Sequence, residues 1–386
     1  MLFPVKHHAV NWIDGMKISR QHFIDTDKHV ADSLRDTASA FLHNYDYGLL
    51  PPFRGNRLAS DFEISERVTG QIEIRLRQCN AITAGGCRID LPLLEYGHQL
   101  IHQFTSDDTA SQEDPAAVAY YYVVLSVNPF DKVPAGDPDP AEMPPRHPYA
   151  AKQYQLMVVP AAQINSGELG VHHLVIGQLN KQYGRFSVSE QYIPPCAAIT
   201  SHPELIRYYE RFSALLNDIQ LNSFKIIDKI TSRDTIQSLA KNVRLLCEHM
   251  LNFIAQVFYT YRNVAHQQPP VVVAGYFSNL AHIFYTTLHY SGAREKEELL
   301  KYFYEWKDVT PGNFEELLAR TIDLVYDHHQ IQQSMDQIAH FLQVLAALWS
   351  KLSSLEFIGQ RRENIVVAEQ QVVQQTQARR TWTLLD

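Results

Sequence analysis

The spacing of apolar residues changes along this chain, from alternation in the first half to helical recurrence in the second, and the change falls near Pro194-Pro195. Before that pair, residues 61–65 and 71–77 alternate polar and apolar side chains, the period-two pattern of strands with one buried face. Thr69-Gly70 between them predicts a turn. Further strands are predicted over 118–127, 154–159, 172–179 and 185–189, punctuated by Gly, Pro and Asp. Short strands at this spacing predict a sandwich of two sheets. One helix interrupts them: residues 21–41 carry Phe23, Val30, Leu34, Ala38 and Phe41 roughly on one face, which predicts a helix lying across the sheet. Seven prolines between Pro129 and Pro148 remove backbone donors and predict a long exposed loop without regular pairing.

After Pro195 the period is helical. Ser201 stands before Pro203 and Glu204, which predicts an N-cap with proline and an acid in the first turn. Helices are predicted over about 203–230, 234–264, 272–290 and 294–306, with Gln268-Pro269-Pro270 breaking the second from the third. From Leu317 an apolar residue recurs at every seventh position, as Leu324, Ile331, Ile338, Leu345 and Leu352, while Met335, Leu342 and Trp349 add a second row. This heptad predicts one helix over 314–357, about 65 Å long at about 1.5 Å per residue. Its partner is open on sequence grounds, because a heptad serves a stalk shared between subunits as well as a bundle within one chain. The fold class is therefore α+β: a β-sandwich domain with one early helix over 1–195, a helical neck over 196–358, and a tail over 359–386.

Composition narrows the function. A chain of 386 residues, 45% hydrophobic and 20% charged, is an ordinary globular protein long enough for two or three domains. Its net charge of −8 supplies no general attraction to nucleic-acid phosphates or anionic lipids, so neither is an expected partner. The N-terminal stretch lacks the apolar core of a signal peptide, and no stretch reads as a membrane span, which predicts a cytosolic protein. Four scattered cysteines (Cys79, Cys87, Cys196, Cys247) without a C-x-x-C pair read as buried thiols. Phosphate-cradling loops, dinucleotide turns, nucleophile elbows and zincin motifs are absent from the sequence. The best metal candidate is Asp323, Asp327, His328 and His329, whose four-residue step would put two carboxylates on one helical face. His328 also falls in the second heptad row and reads there as a packing residue, so no metal, cofactor or catalytic residue is expected. His98, His102 and the pair His172-His173 read as structural, and Tyr120-Tyr121-Tyr122 as strand residues covering both faces of a sheet.

Three short motifs carry a resemblance. The stretch from Val10 to Phe23 contains Trp12, Gly15, Met16, Gln21, His22 and Phe23 in the order W-x-E-G-M-x-L-x-P-Q-H-F, with Asp14 in place of Glu and Arg20 in place of Pro. Tyr45-Asp46-Tyr47-Gly48-Leu49 is similar to Y-G-W-G-L, and Tyr192-Ile193-Pro194-Pro195-Cys196 follows in the same order. Together they resemble the TssK family of type VI secretion baseplate subunits. The resemblance implies a non-enzymatic homotrimer with a β-sandwich shoulder and a helical neck. It also implies a shoulder that docks the wedge proteins TssF and TssG, with Trp12, Gly15, Met16, Gln21, His22 and Phe23 contacting them or organising the surface. The protein would work in the cytoplasm at the inner face of the envelope, linking the wedge to the envelope-spanning complex.

Typical members of that family end in a mixed α/β head, where this chain has the heptad and a short tail, as in Bacteroidetes-type chains. Trp382, Leu384 and Leu385 are expected to anchor that tail against the neck, a neighbouring subunit or an envelope partner. Two other readings compete: a phage- or tailocin-like receptor-binding protein, and a metal-dependent hydrolase built on Asp323 to His329.

Overall fold

A computed structural model describes residues 4–67, 70–91, 100–105, 118–164, 169–232, 237–306 and 310–359. His98 and the tail anchors Trp382, Leu384 and Leu385 lie outside the described residues.

The alternating segments form two antiparallel sheets. In the first, β3 (Gln71–Ile82) is the centre, pairing with β1 (Gly48–Leu49), β2 (Ser60–Glu66), β4 (Arg88–Leu91) and β5 (Leu100–Thr105). The second runs β7-β6-β8-β9, from β6 (Ala119–Ala135), β7 (Tyr149–Pro160), β8 (His173–Gln182) and β9 (Arg185–Val188). Period-two side chains from both sheets meet in one core, with Ile74, Leu76, Cys79 and Ala81 on one side and Tyr121, Val123, Leu125, Leu174 and Leu179 on the other. The sheets approach closely at Gly177, where a Cβ would stand 2.4 Å from the ring of Phe62. Tyr121 of the tyrosine run is fully inside, whereas Tyr120 is exposed.

The proline-rich stretch departs from its prediction at its start, while residues 136–148 form the loop between β6 and β7. β6 continues through Pro129 and Pro134 to Ala135, and β7 pairs with it again from Lys132 onward, after a bulge between Asn128 and Lys132. The bulge takes Pro129 out of the ladder. Pairing with β8 stops at Ser126, so the missing amide of Pro134 falls on a strand with one free edge.

The helical half comprises α2 (Pro203–Thr231), α3 (Ser238–Asn263), α4 (Pro270–Tyr290), α5 (Ala293–Trp306), α6 (Pro311–Ile322) and α7 (Ile331–Ser354). The cap of α2 is His202 and not Ser201: its Nδ1 accepts the Glu204 N–H at 3.3 Å, while Ser201 closes a short 3-10 turn. Burial lowers the His202 imidazole to about 4, which keeps that nitrogen an acceptor. α4 is long and apolar enough to span a membrane, but Val273, Phe277, Leu280, Ala281, Phe284 and Leu288 face the neighbouring helices as a core stripe.

The heptad helix is two helices. Leu317 lies in α6 and Ile331, Ile338, Leu345 and Leu352 in α7, while Leu324 lies between them in a non-helical segment, residues 323–330. Both rows of α7 are fully buried in the chain's own bundle, against α2 above all. Trp349 donates its Nε1–H to Ser223 of α2 at 3.0 Å and packs on the rings of Phe284 and Phe303 at 5.6 and 6.0 Å. This seam is therefore filled from within, and no surface of it is left for a second subunit.

Candidate docking surface

The first helix, α1 (Arg20–Ser39), is mounted with its apolar side outward. Its buried residues are Asp32, Arg35 and Ser39. The Asp32 carboxylate accepts the backbone N–H groups of Lys6 at 2.6 Å and His7 at 3.0 Å, and pairs with Arg35 Nε at 2.8 Å. Burial alone would raise the Asp32 carboxyl, but the bonds from His7, Arg35 and Lys6 outweigh it and hold it below its ordinary range. Arg35 also reaches the Gly85 carbonyl of the β3–β4 turn, and Lys132 of β6 meets Asp27 at 2.9 Å. The underside of α1 is thus centred on a satisfied polar interface, which clamps the helix and residues 6–7 to the sheets, while its apolar Ile24, Ala31 and Ala38 are only half-buried.

The opposite face carries Phe23, Val30 and Leu34 and then Phe41 past the helix end, at steps of seven, four and seven residues. Phe23 is 61% exposed, Val30 50%, Leu34 67% and Phe41 77%. The helix does lie against the sheets, as its pattern predicts, but not on its apolar row: the polar groups win the inward side because they find partners there, and the apolar row is left to solvent. Trp12, Ile13 and Ile18 extend the row from the segment before α1, each at least half exposed. Contiguous apolar exposure of this kind marks association surfaces.

The residues of the first motif gather at one end of that row. Gly15 turns the chain with a φ of +76°, and Met16 is half-buried beneath the turn. Trp12 stacks edge-on to His22 at 5.8 Å and sits 6.5 Å from Phe23. His22 accepts the Ser19 backbone N–H through Nδ1 at 3.1 Å and so closes the N-terminus of α1, while Gln21 bonds Asp25 on the same helix at 2.8 Å. Within this set, His22 and Gly15 shape the surface, and Trp12 and Phe23 are its exposed rings. Sequence reasoning passed over Ile13 and Ile18, although their apolar side chains in a polar pre-helix segment were the available signal.

The second and third motifs meet at the junction of the two halves. Leu49 donates its N–H to the Pro195 carbonyl at 2.7 Å, and its own carbonyl accepts from Ala197 at 2.8 Å. Gly48 has a φ of +110°, and a Cβ there would stand 2.1 Å from the Pro195 oxygen, so glycine alone permits this approach. The segment 323–330 closes the junction from the other side. His328 Nε2–H donates to the Tyr47 carbonyl at 2.8 Å, which makes Nδ1 the acceptor for the Tyr326 hydroxyl at 2.9 Å, and His329 Nε2 meets the Tyr47 hydroxyl at 2.9 Å. Burial lowers His328 to about 4, so it is a neutral imidazole at neutral pH. Asp323 and Asp327 share no helical face, because the segment holding them is not helical, and no group of three metal-ligating side chains occurs among the described residues.

No family model and no curated protein matches the sequence. Solved structures do match the architecture, and all those compared come from one class, baseplate proteins of the type VI secretion system. A crystal structure of TssK aligns with a TM-score of 0.52 at 14% identity, over 88% of this chain and 70% of that one. TssK in a cryo-electron microscopy structure of the TssK–TssF–TssG baseplate subcomplex aligns with a TM-score of 0.50 at 13% identity, over 88% of this chain and 99% of that one. The chain has the TssK fold, in agreement with the resemblance carried by its three motifs.

Proposed function

We propose that this protein is a structural baseplate subunit of a type VI secretion system and that the outward row of α1, with Trp12 and Phe23 at one end, is its docking surface for the TssF–TssG wedge. The observation that carries the reading is the inverted mounting of α1. A helix held by Asp32 and Arg35 while Phe23, Val30, Leu34 and Phe41 face solvent is built to bury those side chains against another protein. Their heptad spacing suits a helical partner segment. The division at about residue 195 into shoulder and neck belongs to the same proposal, as do a non-enzymatic role, a cytoplasmic location at the inner face of the envelope, and attachment to the envelope-spanning complex. A homotrimer would be joined through surfaces other than the α7 seam. The outer side of α2, with Leu221 49% and Phe224 52% exposed, is an apolar surface of the neck suited to it.

Capture of purified TssF–TssG by the full chain, compared with Phe23→Asp and Leu34→Asp, tests the docking surface. Each variant should weaken capture at least tenfold while leaving the thermal unfolding midpoint unchanged, since both side chains are exposed. Undiminished capture by both would overturn the assignment. Light scattering coupled to gel filtration tests the trimer separately.

A further inference from the structure

A cavity of about 390 Å³ lies where the two halves meet, between β2, the end of β9 and the first turn of α2. Its volume is in the range of ligand sites. Buried Leu49 and Ile176 and the ring of Phe62 supply an apolar wall. Ser60 and Ser201 also line it, and the hydroxyl oxygens of both are buried without a hydrogen-bond partner among the described residues. Ser201 is 1% exposed, so its orphaned hydroxyl costs the fold stability. The turn before α2 that Ser201 closes is made by its backbone N–H to the Ala198 carbonyl, a task that needs no hydroxyl.

Charge around the cavity is one-sided. Asp61, Glu190 and Glu204 line it against a single base, Arg207, which pairs with Glu204 and is itself 73% exposed. Arg77 comes within 4.0 Å of Asp61, but it is bonded to Glu63. His202 adds no positive charge, because burial keeps its imidazole neutral as the acceptor for Glu204. Two negative charges are thus left in excess in a cleft, where they are poorly screened.

We infer that this cavity receives an arginine side chain from an extended segment of another protein. The orphaned hydroxyl oxygens accept, the excess charge selects a cation, and the apolar wall suits an aliphatic stem. A guanidinium spreads five N–H groups over a plane and reaches hydroxyls and carboxylates together, whereas an ammonium is a compact point charge with three. The strands beside the cavity show how the arginine is delivered. Among the described residues β2 pairs with β3 alone and β9 with β8 alone, so each has an edge with unpaired backbone groups. An extended peptide pairs along such an edge while its arginine enters, an anchorage that free arginine lacks.

Ligand-observed NMR titration of the full chain tests the inference with blocked single residues: N-acetyl-arginine amide, N-acetyl-citrulline amide and N-acetyl-lysine amide. Blocked arginine should bind about tenfold tighter than blocked citrulline, which keeps the shape and loses the charge, and more tightly than blocked lysine. Asp61→Asn and Ser201→Ala should each weaken blocked arginine about tenfold. Ser201→Ala should also leave the thermal unfolding midpoint unchanged or raised, because it removes a hydroxyl that the fold does not use. Citrulline or lysine binding as tightly as arginine would overturn the inference, as would undiminished binding in either variant or no binding at all. A midpoint lowered by Ser201→Ala would overturn it too, by showing that the hydroxyl serves the fold. Free arginine binding more tightly than the blocked form would place a small molecule in the cavity and overturn the assignment to a protein segment. None of these outcomes depends on wedge binding, so this inference and the baseplate reading stand or fall apart.

Discussion

Replacing His328 with leucine isolates the junction between the two halves, because leucine keeps most of the side-chain volume and removes both hydrogen bonds. His328 is 4% exposed, so the Tyr47 carbonyl and the Tyr326 hydroxyl lose their partner in a place with little access to water. A buried polar group left unpaired costs about 1–3 kcal/mol, and two of them set an expected loss of roughly 2–6 kcal/mol. The loss of the edge-on contact between the Tyr47 and His328 rings, 4.8 Å apart, falls within that range. Urea unfolding followed by far-ultraviolet circular dichroism measures it. His328→Leu within about 0.5 kcal/mol of the parent would refute the account, since that is the scatter of neutral surface substitutions.

The same residue sets a pH dependence. Its folded-state value, about 4, lies below the ordinary 6.5, so the unfolded chain binds the extra proton first as pH falls. The stabilisation is therefore full above about pH 6.5 and is lost between 6.5 and 4, roughly 3 kcal/mol in all at about 1.4 kcal/mol per unit. His202, also lowered to about 4 by burial and then by Arg207, adds a loss in the same window. The His328→Leu variant should be less stable at pH 7 yet lose less on acidification than the parent. An unchanged acid limb would show that His328 does not stay neutral in the fold.

Three further substitutions probe other parts of the chain. Gly48→Ala forces a side chain into the left-handed region and against the Pro195 carbonyl, and should cost more than about 2 kcal/mol by thermal unfolding. Asp32→Ala removes the buried carboxylate that pairs with Arg35 and releases the amides of Lys6 and His7; a loss of about 3–5 kcal/mol is expected, with faster hydrogen exchange over residues 6–39 as its local signature. Trp349→Ala empties the centre of the bundle and should cost about 3–5 kcal/mol, which denaturant unfolding of the helical half measures.

Period and composition by themselves determined much of this protein. The alternating segments became β2, β3 and β6 to β9, the helical segments became α2 to α5 within a few residues, and the change of period near Pro195 falls between β9 and α2. These features are local, because backbone geometry ties side-chain period to secondary structure wherever one face is buried. The motifs around Trp12, Tyr47 and Tyr192 were likewise legible, as sequence and as resemblance.

Tertiary structure decided which way the apolar faces point. The row from Phe23 to Phe41 and the row from Ile331 to Leu352 have the same heptad signature, yet the first faces solvent and the second is the centre of the bundle. Amphipathicity states that a helix has an apolar side, not what covers it. For α1 the inward position went to Asp32 and Arg35, whose partners come from residues 6, 7 and 85, distant in sequence. The heptad also ran unbroken through Leu324, but residues 323–330 leave the helix because His328 and His329 find Tyr47, some 280 positions away. Such bonds follow from where the chain returns in space, which no local period encodes.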